Sequence, residues 1–353
     1  VKLLIINPGS TSTKISVYED ENPIFDQDLH HEMSELAVFE KITDQYDFRK
    51  KVILDALKEA GIAIESLDAI VDRGGLLKPL AGGTYRINEA IVRDLRNGVQ
   101  GEHASNLGGL IAYEIGEQIG KPAFVVDPVV VDELDPISRI SGHPWLERRS
   151  VFHALNQKAI ARQYCREVGK AYQDVSVIVA HLGGGISVGI HHKGRVIDVS
   201  NALHGEGPFT PERSGALPVG ELAALCFSGT KTLPEIKKAL TGQGGIVAYL
   251  GSNDVKAMVE KAQTDPEAKN IIDAMIYQIS KEIAAVSTAV NGKVNAILLT
   301  GGLAFGKYIT QGITDRVGFI AEVRVYPGGH EQLALAQGAL RVLKGEEEAK
   351  VYE

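Results

Sequence analysis

The sequence predicts a mixed α/β protein built from two related domains. Three observations carry this. The length, 353 residues, suits two domains of roughly 150 residues each. Strand-like and helix-like stretches alternate along most of the chain. One supersecondary pattern, strand, small-residue turn, strand, short turn, strand, occurs twice about half a chain apart, which predicts a duplicated architecture.

The first copy opens with the apolar run Lys2–Ile6, turns at Asn7-Pro8-Gly9-Ser10 and alternates over Thr13–Tyr18, with Ile15 and Val17 on one face. A turn at Asp20–Pro23 leads to a third strand over Ile24–Leu29. Helical spacing follows over Phe48–Ala60, Glu89–Arg96 and Ala104–Ile119, with short buried strands at Ala69–Asp72 and Ala123–Asp127. A Pro- and Arg-rich passage, Asp135–Arg149, precedes a helix over Leu155–Val168. The second copy has strands at Val175–Ala180, Ile186–Ile190 and Val196–Val199, separated by His181-Leu182-Gly183-Gly184-Gly185 and His192-Lys193-Gly194. Helices are expected over Val219–Phe227, Leu233–Leu240, Val255–Ala262 and Ala268–Val290, the last with Ile272, Ile276, Ile279, Ile283 and Val286 in one stripe. Strand Ala296–Leu299, turn Thr300-Gly301-Gly302, helix Phe305–Val317, strand Glu322–Tyr326 and helix Glu331–Leu343 complete the order. The expected division is 1–149 and 150–332, with the segment from about 333 to 353 packing back on the first domain.

Composition narrows the function. Forty-five acidic against 37 basic residues leave a net charge of −8, which argues against a general nucleic-acid or acidic-membrane binder. No run approaches ~20 uninterrupted apolar residues, so no transmembrane helix is expected. Two cysteines, Cys165 and Cys226, make no disulfide framework, and a reducing cytoplasm is the expected compartment.

The 38 glycines concentrate at three strand ends: Asn7–Lys14, His181–Ser187 and Thr300–Gly302. Glycine lets backbone N–H groups approach a phosphate without a Cβ in the way. Ser10, Thr11, Ser12 and Thr13 add hydroxyl donors and Lys14 adds charge. One such turn would simply connect strands; three, two of them in the duplicated hairpins, point to a nucleotide held between the domains. Gly301–Tyr308 imitates a P-loop, but Tyr308 stands where that loop needs the Ser or Thr that ligates Mg²⁺.

Arg213 sits in Phe209-Thr-Pro-Glu-Arg-Ser-Gly215, where two prolines flank the chain and glycine closes the loop. That rigidity favours a functional role. Asp127 and Arg73 interrupt apolar surroundings, and either a surface ion pair or a functional charge is open for both. The pairs His30-His31 and His191-His192 read as surface residues, because neighbours on a strand point to opposite faces and do not share a metal. His103 and His153, each taken alone, read as structural.

Taken together, these passages resemble the acetate kinase family, within the acetate and sugar kinase, heat-shock chaperone and actin superfamily. The resemblance spans nearly the whole chain and rests on Asn7-Pro-Gly-Ser-Thr-Ser-Thr-Lys14, His181-Leu-Gly-Gly-Gly185, Pro211-Glu-Arg-Ser-Gly215 and Thr300-Gly-Gly302. Gly101–Leu107, Val125–Glu133 and Phe152–Gln157 look most like its butyrate kinase branch. Departures are local. Val71-Asp72-Arg73-Gly74-Gly75 stands where acetate kinases have His-Arg-Val-Val-His-Gly-Gly. Gly184 replaces an Asn, and Asn253-Asp254-Val255-Lys256 replaces the adenine-side Ser-Asp-Phe-Arg pattern.

The resemblance implies two actin-like, ribonuclease H-like domains with ATP in the cleft between them. It implies reversible phosphoryl transfer from ATP to a short-chain carboxylate, giving ADP and an acyl phosphate, with Mg²⁺ held by Asn7 and Glu331. Arg213 and His181 would stabilise the transferring phosphoryl group, Arg73 would guide the carboxylate, Asp127 would orient an Arg, and His103 and His153 would stand near. Asn7, Ser10, Ser12, Lys14, Gly183, Gly184, Gly185, Asp254, Gly301 and Gly302 would hold the nucleotide. A homo-oligomer is also implied. Acetate, propionate or sugar kinases are the alternatives within enzymes, and an ATP-driven chaperone-like protein is the alternative outside them.

Overall fold

A computed structural model describes every residue of the 353 except His204. The chain forms two compact units, Val1–Val131 with His330–Glu353, and Asp132–Gly329.

The first unit holds a six-stranded sheet in the order β3-β2-β1-β4-β6-β5. Its strands are β1 (Lys2–Pro8), β2 (Ser12–Glu19), β3 (Asn22–His30), β4 (Ala69–Asp72), β5 (Thr84–Arg86) and β6 (Ala123–Val126). β1 to β3 form an antiparallel meander, and β4 and β6 add to β1 in parallel. Leu3, Leu4, Ile5 and Ile6 are all fully buried, as expected where helices cover both faces of a parallel region and apolar residues run without alternation. Helices Tyr46–Glu59 and Ser105–Ile119 and the last helix, Glu331–Leu343, pack on this sheet. Gly338 makes that last docking possible, since a Cβ there would collide with Val126.

The second unit holds a five-stranded sheet in the order β11-β10-β7-β8-β9. These are β7 (Ser176–Leu182), β8 (Ile186–His192), β9 (Arg195–Val199), β10 (Ala296–Gly301) and β11 (Val323–Pro327). The antiparallel meander and its two parallel additions repeat the first sheet's arrangement, so the duplication is present in the fold. The helix Pro266–Ser287 lays Ile272, Ile276, Ile279, Ile283 and Val286 into the core. Asp265 caps its first turn by accepting from the N–H groups of Glu267 and Ala268.

Some expectations differ from the fold. Residue 149 lies inside the second unit, which begins at Asp132. The intervening passage is tied there by a buried Lys158–Glu133 ion pair of 2.7 Å, by Arg148 on Asp198 and Glu206, and by the Asp135 N–H on the Ile197 carbonyl. The helix expected over Phe305–Val317 is a 3₁₀ turn, Gly302–Phe305, followed after Gly306 by helix Lys307–Val317. The histidine pairs are not wholly at the surface: His31 is buried on Thr13, and His191 is fully buried on Tyr172 and Gln157. No helix among the described residues is long and apolar enough to cross a membrane.

Candidate functional site

In the first unit, the turn between β1 and β2 is built around Arg49, a side chain with no exposed surface. Its Nη1 donates to the carbonyls of Gly9 (2.9 Å) and Ser12 (3.1 Å) and to Thr13 Oγ1 (3.1 Å), and its Nη2 donates to the Ser10 carbonyl (2.9 Å). The turn containing Ser10, Ser12 and Lys14 is therefore held from beneath. Arg49 carried no sequence signal, because its acceptors are mostly backbone oxygens some 40 positions away.

Three of the expected residues meet beside that turn. Asn7 Nδ2 donates to Glu331 Oε2 at 3.0 Å, and Arg73 Nη2 lies 3.3 Å from Glu331 Oε1. Glu331 reaches them because it opens the last helix, directly after His330, whose φ of 43° turns the chain. Asn7 and Glu331 border, with Lys14, a cavity of about 500 Å³. His103 sits before helix Ser105–Ile119, where its Nδ1 accepts the Ser105 N–H at 3.1 Å. Burial lowers its pKa, with Arg73 and Arg49 adding to the effect. Asp127, at φ 39°, accepts the Gly83 N–H at 2.7 Å.

Asp72 was not singled out by its sequence context. It ends β4, has no exposed surface, and accepts the Gly74 N–H at 2.7 Å through Oδ2, while Oδ1 has no hydrogen-bond partner. Helix Ser105–Ile119 can press on it only because Gly108 lacks a Cβ, which would strike Oδ1. Burial pushes its pKa up to about 8, against weaker opposing pulls from the Gly74 and Arg73 N–H groups and the Arg73 charge.

In the second unit, β10 lies parallel to β7 with Thr300 opposite His181, so the two glycine turns emerge side by side. Gly301, at φ 89°, presses on the Leu182 backbone with no space for a side chain. Arg213 leans over the other turn so closely that a Cβ on Gly185 would collide with its guanidinium. Its Nη1 donates to the Ala202 carbonyl. Thr210 fixes the loop, accepting the Arg213 N–H at 3.0 Å and donating to the Gly184 carbonyl at 2.6 Å. Burial lowers the Arg213 pKa, while Glu212 pulls it the other way. His181 stacks on His153 with ring centroids 3.9 Å apart. Near Gly302, a mainly apolar cavity of about 460 Å³ is walled by Val255, Val259, Leu303, Phe305 and Ile309. Asp254 directly precedes Val255, and its Oδ1 caps helix Val255–Lys261 through the Ala257 N–H, a structural task the sequence did not reveal.

Arg73, Asn7 and Glu331 are thus brought together in one unit, and His153, His181, the glycine turns and Arg213 in the other. Asn7 and Glu331 supply hard oxygen donors suited to Mg²⁺, which usually takes one or two carboxylates and fills its shell with water and phosphate. No group of three or more His, Cys, Asp or Glu among the described residues has metal-holding geometry.

Comparison with known proteins places these features in context. The family model described as the acetokinase family matches residues 137–310. Butyrate kinase 1 of Clostridium acetobutylicum is 56% identical over 353 residues, covering 100% of this chain and 99% of its own. A probable butyrate kinase of Clostridium botulinum is 54% identical over 352 residues, 99% of each chain. Among solved structures, Porphyromonas gingivalis acetate kinase aligns with a TM-score of 0.78 at 19% identity, over 97% of this chain and 99% of that one. A Francisella tularensis propionate kinase aligns at 0.73 and 19%, over 96% and 98%. These two share the duplicated fold.

The Asp72 environment predicts a pH dependence. The unfolded carboxyl titrates near 3.8 and the folded one near 8. Between those values the folded chain keeps a proton that the unfolded chain releases, so raising the pH favours unfolding. The thermal midpoint of the parent should therefore fall from pH 5 to 8.5, and that of Asp72→Asn should fall less. Parallel midpoint curves for the two proteins would contradict the shifted carboxyl.

Proposed function

The chain belongs to the acetokinase family, and from that premise we propose that it transfers a phosphoryl group reversibly between ATP and butyrate, giving ADP and butyryl phosphate. It is a carboxylate kinase. The observation that carries butyrate as the substrate is the identity of 56% with a butyrate kinase across the whole chain.

The chemistry asks little of a general base. A carboxylate is ionised near neutral pH and attacks the γ-phosphorus directly. Catalysis then rests on positioning and on positive charge beside the phosphoryl oxygens. In this reading Arg213 and His181 take those oxygens, with Gly184 and Gly185 presenting backbone donors and Gly183, whose N–H is bonded to the Gly185 carbonyl at 3.1 Å, shaping the nucleotide turn. The apolar cavity beside Gly302 accepts the base of the nucleotide. Ser10, Ser12 and Lys14 contact phosphate, and Arg73 receives the butyrate carboxylate. Asn7 and Glu331 would hold Mg²⁺, whose charge offsets that of the phosphates. Asp127, held by Gly83, and His103, near Arg73, support the carboxylate side. His153 supports His181, and Asp254, which starts the helix at the apolar cavity's wall, takes the adenine side of the nucleotide.

A homo-oligomer completes the proposal. Helix Val219–Phe227 reads VGELAALCF yet buries no residue, with Phe227 92% exposed. A second copy of the chain is the proposed cover.

Three measurements test these readings. Hydroxylamine trapping with ATP, Mg²⁺ and a series from acetate to valerate should give most acyl hydroxamate with butyrate or a branched relative. A preference for acetate, or no product from any acid, would reject the assignment. Arg213→Ala should lower kcat by about 10³-fold or more, as loss of an arginine finger does, with a far smaller change in the KM for ATP. Arg213→Lys should restore little, because Lys lacks the planar fork; a near-normal kcat for Arg213→Ala would remove this residue from catalysis. Sedimentation equilibrium at micromolar concentration should give a multiple of the 37.9 kDa subunit mass, and a single subunit mass would exclude the oligomer.

A further inference from the structure

The two stacked histidines of the second unit are wired to the fold by hydrogen bonds whose directions can be read from backbone carbonyls. A carbonyl oxygen only accepts. The Asn156 atom 2.9 Å from the Gly329 carbonyl is therefore its amide nitrogen. The other end of that amide, Oδ1, stands 2.7 Å from His181 Nδ1 and must accept from it. His181 thus carries its hydrogen on Nδ1. Its Nε2 faces the glycine turn, where a Cβ on Gly183 would stand 3.2 Å away.

The same logic runs through a longer buried chain to His153. Gln157 Nε2 lies 3.0 Å from the Ser187 carbonyl, which fixes the orientation of that amide, and 2.8 Å from Ser187 Oγ, to which it also donates. Gln157 Oε1 then accepts from His191 Nε2 at 3.1 Å, and His191 Nδ1 accepts from the Tyr172 hydroxyl at 2.7 Å. Burial, reinforced by Lys158 and Arg162, holds the His191 pKa well below its ordinary value, so this ring is neutral. Ser187 Oγ is fully buried, and besides the Gln157 amide it meets the His153 backbone N–H at 3.5 Å, another donor. Its own hydrogen goes to His153 Nδ1, 2.9 Å away. His153 is consequently the opposite tautomer, with its hydrogen on Nε2.

We infer that Asn156 is a positioning residue that fixes His181 as the Nδ1–H tautomer, so that a second proton is taken on Nε2 and donated from there to the phosphoryl oxygens, while the Tyr172–His191–Gln157–Ser187 chain fixes His153 in the opposite tautomer beside it. The inference rests on His181 as a phosphoryl-binding group. When His181 takes a second proton it does so on Nε2 and keeps its bond to Asn156; both nitrogens then donate. A second proton on His153 Nδ1 would displace the Ser187 hydrogen, because the hydroxyl already accepts from the Gln157 amide and meets the His153 N–H. His181, rather than His153, is therefore the ring that can take a second proton and keep the hydrogen bonds named here. Among the described residues, the charged side chains against the turn include Arg213, at Gly185, and Glu212, whose Oε2 would lie 3.6 Å from a Cβ on Gly184.

Long-range ¹H–¹⁵N spectra of the full chain labelled with [¹⁵N]histidine test the assignment, with signals assigned through His181→Gln and His153→Gln. The parent should show His181 protonated at Nδ1 and His153 unprotonated at Nδ1. A neutral His181 protonated at Nε2, or a His153 protonated at Nδ1, overturns the inference. Kinetics add a second readout. Asn156→Ala should lower kcat by about 10²-fold, the scale of losing one donor to transition-state charge, and leave the KM for ATP within a few-fold. Asn156→Asp keeps the acceptor for Nδ1–H but loses the donor to Gly329, and should recover most of the rate. If Asn156→Asp is as slow as Asn156→Ala, the residue only anchors the Gly329 turn and the inference fails. A parent inactive on every carboxylate would instead refute the kinase reading, and the spectra would still decide the tautomers.

Discussion

A buried guanidinium holds the first strand-end turn in place. Arg49 is sealed from solvent and bonded to four oxygens of the Gly9–Thr13 segment and, through Nε, to Gln45. Removing a cation from water is costly unless its donors are matched, and here every partner is neutral. Carbonyl dipoles compensate the charge without cancelling it. Positive potential therefore stays beneath a turn whose hydroxyls and Lys14 line one side of the proposed phosphate path. The second unit solves the same problem differently: its turns are shaped by absent side chains, at Gly185 under Arg213 and at Gly301 against Leu182.

These two solutions explain what the sequence disclosed. Glycine clusters and apolar runs are local patterns, so β1, β7, the strand-end turns and the core stripe of Pro266–Ser287 were legible. Arg213 was legible because prolines and a glycine bracket it. Arg49, Asp72 and Asn156 were not. Each gains its role from backbone atoms or from a helix brought near by the fold, and no spacing in the sequence marks such a partner. β5 was missed for a related reason: three residues paired to β6 and to Lys350, which lies some 265 positions away, carry too little pattern.

The histidine pairs show how one rule can be applied halfway. Alternation along a strand correctly separates His191 from His192, but it also sends one of them inward. His191 then belongs to a polar network inside an apolar sheet, and networks of this kind are stable only when every member is satisfied. The orientations found for Gln157 and Asn156 satisfy that demand throughout.

The return of the chain's last segment to the first unit bears on how the protein is made. Val126 waits for Gly338, and Asp94 waits for the Tyr352 hydroxyl, 2.9 Å away in the finished fold. The second unit, in contrast, is contiguous from Asp132 to Gly329. At ribosomal rates of about 5–20 residues per second, roughly 200 residues separate the two parts of the first unit by on the order of 10–40 s. Throughout that interval the second unit is free to collapse on itself, while one face of the earlier-made sheet stands uncovered. The order of synthesis and the order of completion are thus reversed: the domain begun first is the one finished last.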